Sequence, residues 1–229
     1  MAINETEKCK QKVETGTATE FIWELGIDEA GRGPLAGPVA VGLVLVPTNF
    51  DWSLIAGVGD SKQLSEKRRE AVRVCATNLA EKGQLFISVQ QSSAGDIDKL
   101  GIVPALNQAI LVGLQDLENQ LSQLGMGLDW PQVMVKLDGA LRAPSFCVHQ
   151  ETIIKGDALE PTIGLASIIA KVTRDHYMTL LGQQAAYQVY NFPQHKGYGT
   201  KNHQELILRH GLSSEHRVSY CQNIINGLL

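Results

Sequence analysis

Cysteine is scarce and scattered in this chain. Cys9, Cys75, Cys147 and Cys221 form no CxxC pair, which argues against a zinc ribbon and against a disulfide framework and leaves a reducing, cytoplasmic compartment as the expectation. Aromatic residues make up only 6% of the chain while Ala, Val, Ile and Leu are plentiful, so the expected core is an aliphatic α/β core. No apolar run is long enough for a membrane span, and the polar stretch MAINETEKCKQKVETGTATEF lacks the apolar centre of a signal peptide. Positive charge is not in excess: 20 Lys and Arg against 24 Asp and Glu give a formal net charge of −4. That balance argues against a protein that coats nucleic acid non-specifically, but it does not exclude a local basic groove. Internal repeats and low-complexity segments are also lacking.

What is there suits one large domain. The 229 residues, 44% of them hydrophobic, can bury a substantial core. Residues 1–20 read as a loosely ordered extension and 21–229 as a single domain. IWELGIDEA (22–30) and PVAVGLVLV (38–46) are apolar runs joined by a glycine- and proline-rich connection, which predicts neighbouring antiparallel strands, the second ended by Pro47. Ser65 opens a helix that Gly83 stops, and QLFISVQQ alternates as a third strand. Leu106, Ile110, Leu114, Leu117 and Leu121 recur every three or four residues, predicting an amphipathic helix from Pro104 to about Leu124. PQVMVKLDG and FCVHQETIIKGD read as the fourth and fifth strands, each ending in an acid beside a glycine. A long helix through EPTIGLASIIAKVTRDHYMTLLGQQ follows, then two shorter ones near 201–210 and 213–226. The pattern is that of an α/β protein with a ribonuclease H-like, mixed five-stranded sheet flanked by helices.

Asp28, Asp138 and Asp157 each fall at or near a predicted strand end with a glycine within two residues, where other groups can approach closely. If the three converge at one sheet edge, they would repel unless divalent cations fill the site, and an all-oxygen ligand set favours Mg²⁺ or Mn²⁺. A single Asp-Gly pair is ordinarily a turn. From these acids alone, a Mg²⁺-dependent phosphohydrolase acting on a small metabolite is as open as a nuclease, and a catalytically silent binding module stays a rival. Side chains alternate along a strand, so adjacent Asp28 and Glu29 point to opposite faces. Asp28 is then expected to bridge metals, and Glu29 to offer a main-chain carbonyl or an outer-sphere contact.

GIDEAGRGPLAGPV, GDSKQLSEKRRE, LDG, IIKGD, ASIIAKVTRD, HKGYGT and SSEHR occur in that order between residue 26 and about 217. Together they closely resemble the ribonuclease HII family, the type 2 ribonucleases H. The resemblance implies hydrolysis of the RNA strand of RNA/DNA hybrids and incision 5′ to ribonucleotides embedded in duplex DNA, leaving 3′-hydroxyl and 5′-phosphate ends. It implies four acidic catalytic and metal-binding residues, Asp28, Glu29, Asp138 and Asp157, holding two Mn²⁺ or Mg²⁺ ions. Gly31, Arg32 and Gly33 would read the ribose, and Tyr198 would contact it at the RNA-to-DNA junction. The type 3 enzymes usually carry Lys at the position of Arg32 and a larger N-terminal domain, and neither feature matches. Two departures stand out: Gly101 where members commonly show Asn, and LDG in place of VDG. No C-terminal clamp-binding sequence with paired aromatics is evident, and a monomer is the default.

Around this set, Lys62 is expected to contact a phosphate, with Lys67, Arg68 and Arg69 adding local positive charge. The bland alternative for SEKRRE is a solvated helix face laced with ion pairs. Lys196 and Lys201 flank Tyr198 and could follow a nucleic-acid backbone. His195, His203, His210 and His216 lack a tight metal spacing and are expected at the surface or in caps. Asp175 is expected to anchor Arg174 or a loop, and Ser167 shares a helix face with Lys171 without a partner that would make it a nucleophile.

Overall fold

The computed structural model describes residues 21–58 and 64–227. The expectations for the extension 1–20 and for Lys62 therefore lie outside the described residues. β1 (Trp23–Ala30) and β2 (Val39–Pro47) pair antiparallel as expected, with Asp28 opposite Gly42. β3 (Phe86–Ser92) adds antiparallel to β2, whereas β4 (Val133–Asp138) runs parallel to β1 and β5 (Gln150–Ile153) parallel to β4. The order β3-β2-β1-β4-β5 makes a mixed five-stranded sheet with β1 at its centre. Buried on both faces, β2 reads as a near-continuous apolar run, whereas β1 interleaves apolar residues with Glu24, Asp28 and Glu29.

Alternation along β1 and β2 divides the core in two. Leu25, Ile27, Val41 and Leu43 pack on one face against Leu106, Ile110, Leu114 and Leu117 of α3 (Ile102–Gln123). On the other face, Val44 and Val46 meet Val72, Ala76 and Leu79 of α1 (Glu66–Glu81) and Leu165, Ile168 and Ile169 of α5 (Pro161–Leu181). Ser65 caps α1 by accepting the Arg68 N–H at 3.3 Å, and Pro161 occupies the first turn of α5, where its missing N–H costs nothing. α6 (Phe192–His195), α7 (Lys201–His210) and α8 (Val218–Asn226) close the chain, and α8 starts later than the sequence pattern predicts. Cys75, Cys147 and Cys221 are free thiols. Among the described residues no single helix is long and apolar enough to cross a membrane.

Two elements depart from expectation for backbone reasons. The helix predicted from Pro104 begins at Ile102, after a separate α2 (Ala94–Leu100), and the two meet at Gly101 with φ 86° and ψ 157°. That region is essentially glycine-only and breaks the helical path. Asp157 does not end the fifth strand: β5 stops at Ile153, Lys155 takes a left-handed conformation (φ 58°), and Asp157 lies in α4 (Gly156–Leu159).

Candidate active site

Gly26 and Gly42 set the depth of the site. A Cβ on Gly26 would lie 2.3 Å from the Thr162 carbonyl carbon, and one on Gly42 would lie 2.3 Å from the Ala166 carbonyl oxygen. Only glycine at these positions lets the backbone of α5 settle directly on β1 and β2. Asp28 shares their face, two residues after Gly26 and opposite Gly42, so α5 covers it to 5% exposure. The Ser167 hydroxyl of α5 hydrogen-bonds the Asp28 carboxylate. On the other side of β1, Ile27 is in register with Leu137, so Asp28 and Asp138 follow as neighbours on adjacent parallel strands.

Asp28, Asp138 and Ser167 line one open cleft of about 460 Å³, together with Glu29, Gly31, Arg32, Gly33, Arg69, Lys171 and Tyr198. Burial pushes the Asp28 carboxyl up to about 7, and the charges of Asp138 and Glu29 push it the same way. Bonds from Ser167 and from the Glu29 N–H, 2.7 Å away, oppose the shift. Glu29 is raised as well, first by burial, while Arg32 holds it back through a 3.1 Å ion pair. Asp138 accepts the Gly156 N–H at 2.7 Å, which ties it to the turn that carries Asp157.

The expected convergence of three aspartates is therefore partial. Asp28 and Asp138 share the cleft, whereas Asp157, 3% exposed in α4, does not line it. Among the described residues no group of three or more His, Cys, Asp or Glu side chains is placed to hold a metal ion by itself. The donors that do face the cleft, carboxylates of Asp28, Glu29 and Asp138, nevertheless suit a hard divalent cation. An ion there would offset the burial and the neighbouring charges that raise Asp28.

Behind the cleft, the turn after β1 is held from inside. Gly31 and Gly37 have φ of 92° and 83°. The guanidinium of buried Arg217 donates to the carbonyls of Gly31, Arg32 and Gly37 at 2.7, 2.9 and 2.9 Å. The Leu35 N–H donates to the Gly197 carbonyl at 2.8 Å, joining this turn to the Tyr198 loop. Tyr198 is 40% exposed, its carbonyl 2.9 Å from His203 Nδ1.

Several residues differ from expectation. His195, His203 and His216 are buried rather than superficial: His195 and His203 stack with centroids 4.2 Å apart, and the Nε2 atoms of His203 and His216 are 3.1 Å apart. They brace the Tyr198 loop from below, and only His210 of the four is exposed. Asp175 pairs with Lys171 at 2.7 Å, not with Arg174. Lys196 turns inward to donate to the Thr179 hydroxyl at 2.6 Å, while Lys201 stays in solvent. In SEKRRE, Glu70 pairs with Arg73 at 2.6 Å and Arg69 reaches the cleft rim. Ser167 and Lys171, which the sequence places on one helix face without a role, both line the cleft. Their signal was the four-residue spacing on the face of α5 that meets the Gly26–Asp28 side of β1.

The ribonuclease HII family model matches residues 25–223. The chain belongs to the ribonuclease HII family. A ribonuclease HII from Polynucleobacter asymbioticus is 40% identical over 201 residues, covering 87% of this chain and 93% of that protein. Among solved structures, the ribonuclease H2 from Pyrococcus horikoshii OT3 is similar with a TM-score of 0.61 and 23% identity, over 90% of this chain and 98% of that one. Bst-RNase HIII in complex with Mn²⁺ gives a TM-score of 0.66 at 17% identity, over 99% of this chain and 77% of that one. At these identities the two structures speak for the fold alone, the ribonuclease H-like fold. As a ribonuclease HII family member the protein is an endoribonuclease, a hydrolase of the ribonuclease H type, and the family depends on divalent metal.

Proposed function

We propose that this member of the ribonuclease HII family hydrolyses the RNA strand of RNA/DNA hybrids and incises 5′ to ribonucleotides embedded in duplex DNA, serving ribonucleotide removal. The observation that carries the reading is the single cleft in which Asp28, Glu29 and Asp138 face Gly31, Arg32, Gly33 and Tyr198. Asp28 and Asp138 would hold two Mn²⁺ or Mg²⁺ ions, completed by Asp157 and, through its main chain or an outer-sphere contact, Glu29. When bound, the ions supply an activated water and neutralise charge on the leaving oxygen, giving 3′-hydroxyl and 5′-phosphate ends.

The chain's own groups divide the remaining work. Ser167 orients the Asp28 carboxylate, and Arg32 holds Glu29 to the side. Gly31 and Gly33, lacking side chains, let the backbone reach the sugar edge, where the 2′-hydroxyl separates RNA from DNA. Tyr198 offers a half-exposed ring against the ribose and its neighbour. Arg69 and Lys171 on the rim, with Lys62, meet the phosphates, so binding weakens as salt rises. Residues 21–229 act as one catalytic domain, as a monomer, in the cytoplasm.

The test is a duplex with one embedded ribonucleotide, incubated with Mg²⁺ or Mn²⁺ and with chelator. Metal-dependent incision on the 5′ side of the ribonucleotide is expected. Binding without incision would leave a silent nucleic-acid-binding module, and neither binding nor incision would leave the small-metabolite phosphohydrolase.

A further inference from the structure

Arg174 is a charge buried without a counter-ion. Its side chain is fully buried in α5, and among the described residues no carboxylate forms an ion pair with it. Neighbouring Asp175 is engaged by Lys171. Removing a guanidinium from water is expensive unless its donors are met. Two of them are met by the backbone of the turn after β1: Nε donates to the Pro38 carbonyl at 2.8 Å and Nη2 to the Ala36 carbonyl at 3.1 Å. The third nitrogen, Nη1, is buried and finds no hydrogen-bond partner among the described residues. The guanidinium carbon sits 5.5 Å from the centroid of the Tyr198 ring, within cation–π range.

The turn also makes room for this side chain. A Cβ on Gly31 would fall 2.0 Å from Arg174 Nε, so the first glycine of GRG is required by the arginine behind it as well as by its own φ of 92°. One planar fork thus touches the turn and the tyrosine at once, an arrangement that the point charge of a lysine cannot reproduce.

We infer that Arg174 is the positioning residue that makes the glycine-rich turn and Tyr198 a single preorganised reader of the ribose. This rests on the functional reading above, in which those two elements meet the sugar. Arg174 does not line the cleft. It acts by fixing the distance between the carbonyl-anchored turn and the ring face.

The experiment is a double-mutant cycle between Arg174→Lys and Tyr198→Ala, with kcat and KM measured on a duplex containing one ribonucleotide. Arg174→Lys is expected to lower kcat/KM about tenfold in the wild-type background, as small misplacements of substrate-positioning groups do. In the Tyr198→Ala background it is expected to cost less than twofold. A tenfold loss in both backgrounds would overturn the inference, because a general packing defect is indifferent to Tyr198. Melting without substrate gives an independent readout should Arg174→Lys not fold. Tyr198→Phe, which keeps the ring face, should melt like wild type, and Tyr198→Leu about 2–4 °C lower. Equal melting of the two would overturn the guanidinium–ring contact. A wild-type enzyme that fails to incise would overturn the functional reading instead, and the melts decide the contact without any substrate.

Discussion

Asp28 concentrates the conflict between stability and chemistry in one side chain. Burial raises its carboxyl to about 7 in the fold from the ordinary aspartate value of 3.8. The folded state therefore binds the proton more tightly than the unfolded one, and stability falls as pH rises from about 4 to 7. In chelator at pH 8 the penalty is about 4 kcal/mol at 1.36 kcal/mol per unit. Asp28→Asn should then abolish turnover yet melt higher than wild type in chelator at pH 8. Added Mn²⁺ should raise the melting temperature of wild type and leave that of the variant unmoved. A variant that turns over at near wild-type rate in Mn²⁺ would remove Asp28 from the site. Glu29 is a different case, because β1 stays regular through Ala30 and the Glu29 side chain is taken by Arg32. Glu29→Gln should weaken metal affinity less than Asp28→Asn, as measured by Mn²⁺ titration. Equal losses would contradict the division of roles between the adjacent acids.

Elements, more than residues, were legible in the sequence, and the reason is periodicity. The apolar run of β2, the alternation of β3 and the three-to-four spacing of α3 all follow from which faces are buried, so they stood out in the chain. Positions fixed by a single backbone torsion did not. Nothing in IIKGD announces that Lys155 turns left-handed and carries Asp157 off the strand into α4, and nothing in DKLGIVP says that Gly101 separates two helices. The same limit hid Ser167, because its relevance depends on how closely α5 approaches the sheet. That approach is itself testable. Gly42→Ala would place a methyl group 2.3 Å from the Ala166 carbonyl oxygen, and backbone cannot yield as a side-chain end can. We expect a loss of about 1–3 kcal/mol by overpacking, read by denaturant midpoint, accompanied by reduced incision as Ser167 withdraws from Asp28. Wild-type stability and activity in Gly42→Ala would show that α5 does not bear on β2 in this way.

Across the whole molecule, two buried titrating clusters respond to acid in opposite senses. His203 and His216 are pushed down to about 4, first by burial, then for His203 by its neighbour His195 and for His216 by His203. The unfolded chain takes up protons near 6.5 while the folded one resists until about 4, so this cluster costs stability as pH falls through that window. Bonds to the Tyr198 carbonyl and to Ser213 fix the orientation of the two rings and partly oppose the shift, and Tyr190 and Phe192 pack edge-on against them. The cleft does the reverse, because protonation relieves Asp28. Between pH 8 and pH 5 that relief amounts to about 2–3 kcal/mol, comparable with the cost at one histidine. The cluster holds two such histidines, so wild type in chelator should still lose stability towards pH 5, but less steeply than the histidines alone would dictate. Asp28→Asn keeps the histidine cost and loses the compensating gain, so its advantage over wild type should shrink steadily from pH 8 to pH 5. Parallel melting profiles for the two proteins would mean that Asp28 does not carry the raised proton affinity on which the cleft's electrostatics depend.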